Sequence, residues 1–175
     1  MLFVARIRVN NKPKVLQVDE IINQLFMGDE YDARHRELLE KNNIHAIINC
    51  TTRVENFYEE QGIAYLRLML EEWSHITPEI AENVQNFVQE HRPKHGVLVH
   101  CSAGVQRAPA IMILILIQDN FKFFDAFEFV EKKCCGYILP NYEMLASIAQ
   151  LDINGEHLDE AAIKQYYSER FRLFF

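Results

Sequence analysis

A chain of 175 residues, 49% hydrophobic and 25% charged, is long enough for one domain that buries roughly two-thirds of its unfolded surface. That composition excludes a disordered or fibrous polymer. Its formal net charge of -7 argues against general affinity for nucleic acid or an anionic bilayer, both of which need clustered Lys and Arg, so an anionic ligand has to be captured locally.

The opening residues lack the charged front and apolar stretch of a secretory leader, and their alternation predicts a strand over 3–9, followed by another over 14–18. A short apolar piece, Leu25-Phe26-Met27, ends at Gly28 and leads into a helical stretch over 29–41. Three apolar runs, 45–49, 64–68 and 96–100, read as buried parallel strands bounded by polar or turn residues. The clearest helix covers 77–91: Thr77 caps it, Pro78 takes the first helical position, and Ile80, Val84, Phe87 and Val88 share a face. Residues 108–118 are apolar nearly all round, which predicts a helix central in the core. That run is also too short for a bilayer, which needs about 20 residues. Further helices are predicted over 124–133, 142–151 and 158–173, and the aromatic residues of the last are expected to dock onto the domain itself.

Strands alternating with helices predict one α/β domain over 1–175, with a mostly parallel sheet of about five strands flanked by helices. No repeat, low-complexity tract or long linker supports a second domain. Of the four cysteines, Cys134 and Cys135 precede Gly136 at a helix end without nearby histidines, so they read as packing residues rather than metal ligands. No metal or cofactor is implied. Reduced thiols fit a cytoplasmic or nuclear setting.

The chemistry concentrates where Val97-Leu98-Val99-His100 runs into Cys101 and, through Ser102, Ala103, Gly104, Val105 and Gln106, reaches Arg107 and the next helix. A strand, tight loop and helix in that order aim successive backbone N–H groups at one place, with the positive end of the helix dipole behind them. Gly104 permits the backbone dihedrals such a loop demands. A thiol at its mouth feels the same field as a bound anion, which favours the thiolate and makes Cys101 a nucleophile. Arg107 can offer two parallel donors to a phosphoryl group, a fork that lysine lacks. The plainer reading of Cys101 as a buried structural thiol fits less well, because Gly104 and Arg107 follow at the right places. His100 is read as supporting the loop by hydrogen bonding from beneath, with simple packing as the alternative.

His100-Cys101, five residues with Gly104 among them, then Arg107, resembles the signature of the protein-tyrosine and dual-specificity phosphatases. The similarity continues in Leu25-Phe26-Met27-Gly28, Ile47-Ile48-Asn49 and Leu139-Pro140-Asn141 and covers roughly residues 20–151, leaving a helical extension over 152–175. The compact size points to the dual-specificity branch, and Arg107-Ala108-Pro109 is similar to phosphatases of regenerating liver. The resemblance implies a protein-tyrosine-phosphatase-like fold, phosphorylated proteins as substrates and a phosphocysteine intermediate on Cys101. It also implies slow breakdown of that intermediate, because Ala108 replaces the usual hydroxyl residue.

The family's general acid is an aspartate about thirty residues before the cysteine, and no aspartate lies between Thr51 and Val99. Aligning Tyr65-Leu66 with the family's strand brings Glu72 to the acid position, with His75 as a substitute and a solvated Glu71-Glu72 pair as the plain alternative. Cys50 ends one predicted parallel strand as Cys101 ends another, so either the two thiols form a reversible protective bridge or Cys50 only packs. Two other readings stay open: a phosphate-binding adaptor that turns over very slowly, and a phosphatase acting on RNA or a phosphoinositide. Relatives acting on those substrates carry basic residues in the loop, whereas Ser102, Ala103, Val105 and Gln106 are uncharged.

Overall fold

The computed structural model describes residues 17–155 and 158–171. The expected strand over 3–9 lies outside them, as does most of the one over 14–18; Gln17 and Val18 are not in a strand. The first described strand is β1 (Asp19–Ile22), which turns back antiparallel onto β2 (Leu25–Gly28). Then follow α1 (Glu30–Arg34), α2 (Arg36–Lys41), β3 (Ile44–Asn49), β4 (Ala64–Arg67), α3 (Pro78–His91), β5 (Gly96–His100), α4 (Arg107–Gln118), α5 (Phe123–Lys133), α6 (Tyr142–Ala149) and α7 (Glu160–Phe171). Strand order is β1-β2-β5-β3-β4, and all pairings except β1 with β2 are parallel. The expected mixed, mostly parallel five-strand sheet is therefore present, with β1 as a member that the sequence reading leaves unassigned.

Alternation of side chains divides the core into two layers. Leu25, Met27, Val97, Val99, Ala46 and Ile48 face the larger cluster with α3 to α7, whereas Phe26, Leu98 and Ile47 join Ala33, Leu38 and Leu39 of α1 and α2 on the other face. Every residue of α4 from Ala108 to Ile117 is buried, as its all-round apolar pattern predicts. Thr77 caps α3 by accepting from the Ile80 N–H, with Pro78 at the first turn. Along α3, Val84 and Val88 are buried together with Ala81, while Ile80 and Phe87 pack only at the margin.

Two corrections have local causes. The single helix expected over 29–41 breaks at His35, whose extended backbone (φ -93°, ψ 96°) ends α1 and starts α2. Cys135 is exposed rather than packed, its N–H donating to Asp19 Oδ2, so packing describes only the half-buried Cys134. The last helix does dock on its own domain: Tyr167 is buried with its hydroxyl on the Pro140 carbonyl, and Tyr166 stacks on Phe124. Residues 172–175, which the expected helix partly included, lie outside the described chain.

Gly28 sets the approach of α1 to the sheet. A Cβ there would stand 2.9 Å from Asp32 Oδ2, the atom that accepts from the Asp29 N–H, while Asp29 caps Tyr31 and Asp32 in return. Gly28→Ala is expected to lower stability by about 1–3 kcal/mol through overpacking of this buried capping box. Urea unfolding checks it: the midpoint should fall at an unchanged slope.

Candidate active site

Strands β3 and β5 lie side by side with Asn49 opposite His100, and the Cys50 N–H donates to the His100 carbonyl at 2.9 Å. Cys50 and Cys101 therefore leave neighbouring strands at the same level, where strand spacing is about 4.8 Å. Both thiols are buried and neither is in a disulfide. Burial pushes the Cys50 thiol well above its ordinary range, and the neighbouring Cys101 adds to the shift. Burial thus favours the protonated form of Cys50.

Beyond Cys101 the chain bends through Gly104, which takes the left-handed φ of 67°, and enters α4 at Arg107. Gln106 occupies the cap position without any side-chain cap bond, which leaves the first amide groups of α4 without their usual side-chain acceptor. The loop's outward carbonyls are engaged elsewhere: Ser102 O accepts from the Glu30 N–H at 3.3 Å, and Val105 O accepts from the Leu139 N–H at 2.8 Å. The first contact brings the start of α1 against the loop, and the second brings in the Leu139-Pro140-Asn141 segment.

Arg107 is half-buried. Its Nη1 donates to the Leu70 carbonyl at 3.1 Å and its Nη2 to Ser102 Oγ at 3.3 Å, while its Nε is buried with no hydrogen-bond partner. Two bonds thus orient the guanidinium, and one buried donor remains for a ligand. His100 beneath the loop is fully buried with both ring nitrogens unpartnered. Burial lowers its pKa to about 4, only partly opposed by the Cys101 backbone and the charge of Asp29. The ring is neutral at pH 7. The ring packs beneath the loop, against the Cys101 backbone.

The predicted acid region runs through Leu70, whose carbonyl binds Arg107. Glu72 is exposed, as is His75. Glu71, which sequence spacing passes over, is half-buried: its carboxylate accepts from Thr52 Oγ1 at 3.0 Å and its N–H donates to Ser74 Oγ at 2.9 Å. Asn49 is a second residue of the site whose role the sequence hides. Fully buried, it donates to the Val54 carbonyl and Asn56 Oδ1 and accepts from the Thr51 N–H and hydroxyl, which fixes the turn after Cys50. Such a satisfied buried amide is recognisable only once the turn is seen. The Asp29-x-x-Asp32 box, by contrast, is readable from spacing.

Comparison with known proteins agrees with this geometry. A sequence model described as the catalytic domain of dual specificity phosphatases matches residues 25–153. Human dual specificity protein phosphatase 7 is 29% identical over 137 residues, covering 76% of this chain and 32% of the relative, so the chain spans about one-third of the length of that protein. Among solved structures, a mouse putative dual specificity phosphatase complexed with zinc tungstate superposes with a TM-score of 0.69 at 18% identity, covering 93% of this chain and 94% of that one. The structure of PTPMT1 in complex with PI(5)P gives a TM-score of 0.64 at 17% identity, covering 87% and 98%.

A buried neutral imidazole has a signature in stability. Because the folded pKa of His100 lies below the unfolded value near 6.5, the unfolded chain takes up the proton first. Its contribution is complete above pH 6.5 and is lost as pH falls toward 4, by about 3 kcal/mol in total. Urea unfolding between pH 7 and 4 should show this limb in the wild type and its flattening in His100→Gln.

Proposed function

This chain belongs to the family of dual specificity phosphatase catalytic domains, and we propose that it hydrolyses phosphotyrosine and phosphoserine or phosphothreonine in proteins through a phosphocysteine on Cys101. The observation that carries the proposal is the buried, unpartnered Nε of Arg107 at the mouth of a helix without a side-chain cap. A buried donor left empty costs about 1–3 kcal/mol, and a phosphoryl oxygen in the loop would satisfy it together with the free amides of Ser102, Ala103, Gly104, Val105 and Gln106.

In this reading Cys101 attacks phosphorus in line and the ester P–O bond breaks. Arg107 and the loop amides stabilise the equatorial oxygens, and a carboxylic acid protonates the departing oxygen. Water then attacks phosphorus, and the S–P bond breaks to release phosphate and the thiolate. Ala108 brings no hydroxyl to that second step, which supports a slow release of the thiolate. The proton donor sits in the turn after Leu70. Glu72 is the residue that family spacing selects, but the geometry favours Glu71, because it adjoins the carbonyl that Arg107 binds and accepts from Thr52, two residues after Cys50. The neutral loop residues support phosphoproteins over RNA or phosphoinositides, although PTPMT1 shares the fold and was solved with PI(5)P.

Single-turnover and steady-state assays on an aryl phosphate, a phosphotyrosine peptide and a phosphothreonine peptide test the scheme. A burst of one equivalent followed by slow turnover is expected, with Cys101→Ser binding substrate but releasing no phosphate; sustained binding without any phosphocysteine would support the adaptor reading instead. The acid is the residue whose Gln variant lowers turnover of the alkyl phosphate by about 10²- to 10⁴-fold while sparing the activated aryl ester. Glu71→Gln is expected to do so and Glu72→Gln is not. We also propose that oxidation joins Cys50 to Cys101. Peroxide treatment and peptide mapping should recover that pair, and mapping that never recovers it would leave Cys50 a packing residue.

A further inference from the structure

Two arginines stand beside the Cys101 loop without a task in the chemistry above. Arg67 ends β4, the strand at one edge of the sheet. Register sets His100 opposite Asn49 and Asn49 opposite Arg67, so Arg67 is level with the residue before Cys101 and two strand spacings away, about 10 Å. Its exposed side chain folds back over the turn that follows Cys50: Nη2 donates to the Thr52 carbonyl at 2.8 Å and Nε to the Thr51 carbonyl at 3.4 Å. Asn49 fixes that turn from inside. Arg53 belongs to the same turn and is exposed next to the buried Val54.

An exposed arginine ordinarily samples many rotamers, and bonds to two carbonyls hold this one in a single orientation. A guanidinium presents five N–H donors in a rigid fork. With Nε and Nη2 engaged along one edge, Nη1 and the second Nη2 hydrogen are left as a parallel pair facing outward. Carbonyls orient the group without neutralising its charge. Among the described residues the ion pairs involve Arg36, Arg92 and Arg170, and neither Arg53 nor Arg67 joins one. The acidic groups on the same turns serve other donors or none: Glu71 accepts from Thr52 Oγ1 and Glu59 from Asn56 Nδ2, while Glu55 and Glu72 are exposed and pair with neither arginine. In a chain of net charge -7, two unpaired cations beside an anion loop make a local field opposite in sign to the whole, which is the arrangement that attracts and orients an acidic partner.

We propose that Arg67, with Arg53 beside it, is a second anion subsite that reads an acidic side chain of the phosphoprotein substrate, a carboxylate or a second phosphoryl group, about three residues from the phosphorylated one. The spacing follows from the sheet: about 10 Å is spanned by about three residues of extended chain. The outward pair of donors on Arg67 suits either anion, because both accept two parallel bonds from a guanidinium. This assignment rests on the phosphoprotein reading above. It puts the specificity of the site in the turn after Cys50 rather than in the loop itself, whose residues between Cys101 and Arg107 are uncharged.

The test compares kcat/KM of the full chain on phosphotyrosine peptides that have alanine flanks or carry one Glu or one phosphoserine at a single position, from one to four residues on either side. Loss of phosphotyrosine is read by mass spectrometry. An acidic residue about three positions away is expected to raise kcat/KM about fivefold, chiefly through KM, since the contact is remote from the reacting atoms. A larger gain from phosphoserine than from Glu would identify a second phosphoryl group as the preferred anion, and equal gains a carboxylate. In Arg67→Gln and in Arg53→Gln the ratio of acidic to neutral peptide should fall toward one, and about 0.5 M salt should do the same to the unaltered chain. Arg53 makes no hydrogen bond in the structure, so its variant reports charge without disturbing the turn. A ratio of one at every position, or one that survives in both variants, while the neutral peptide is still turned over, overturns the subsite and leaves the phosphatase reading intact. If the neutral peptide is neither turned over nor forms a phosphocysteine, the phosphatase reading falls and the subsite falls with it.

Discussion

A buried thiol, a left-handed glycine and a helix that begins without a side-chain cap are packed into one turn, and the rest of the molecule holds that turn in shape. The amide groups at the start of a helix need acceptors. In this chain neither Gln106 nor any neighbour supplies one from a side chain, and the next residue is a cation, which is unfavourable at the positive end of a helix dipole unless an anion is present. Two unfavourable choices at consecutive positions are tolerable when the same bound phosphoryl group satisfies both.

The scaffold accounts for how such a turn is held in shape. Helix α4 is buried on every side from Ala108 to Ile117, so its register against the sheet cannot drift. Strand β5 is central, held by β2 on one edge and β3 on the other. Outside the loop, Ser102 and Val105 carbonyls are tied to α1 and to the segment before α6. The guanidinium of Arg107 then links the loop to the Leu70 turn, so the proposed nucleophile and the candidate acids belong to one hydrogen-bonded unit rather than to two loops that meet by chance.

How much of this was legible in the sequence follows from the range of the forces involved. The loop, β5 and α4 were readable because a strand period, a special glycine and an all-apolar helix are local signals. The parallel strands 45–49, 64–68 and 96–100 were found within a residue of their observed ends because buried β runs end at polar residues. Strand β1 was missed because Asp19 and Glu20 disguise it; Asp19 is buried by its bond to the Cys135 N–H, 116 positions away, and no window reports that. The break at His35 escaped because both flanking segments are good helix formers. Choosing between Glu71 and Glu72 needed the depth of each side chain, which adjacent identical residues cannot announce. The bulge at His45 was invisible for the same reason, since register slips are settled between strands.

Polar groups buried in this core are for the most part answered: Asn49 makes four bonds, Ser147 accepts from the Ile76 N–H while donating to the Met144 carbonyl, and Thr51 serves Val54. Among the described residues, unpartnered buried side-chain atoms occur on His100 and Arg107 at the carboxyl end of β5 and, away from it, on residues such as His91, His95, Gln24 and Gln118. A buried guanidinium nitrogen without a partner at the start of α4, on a scaffold able to satisfy polar atoms elsewhere, fits a loop kept open for an anion. The carboxyl end is where sheets of this kind receive their ligands, so the unpartnered Arg107 Nε stands where the topology of the sheet would bring an anion.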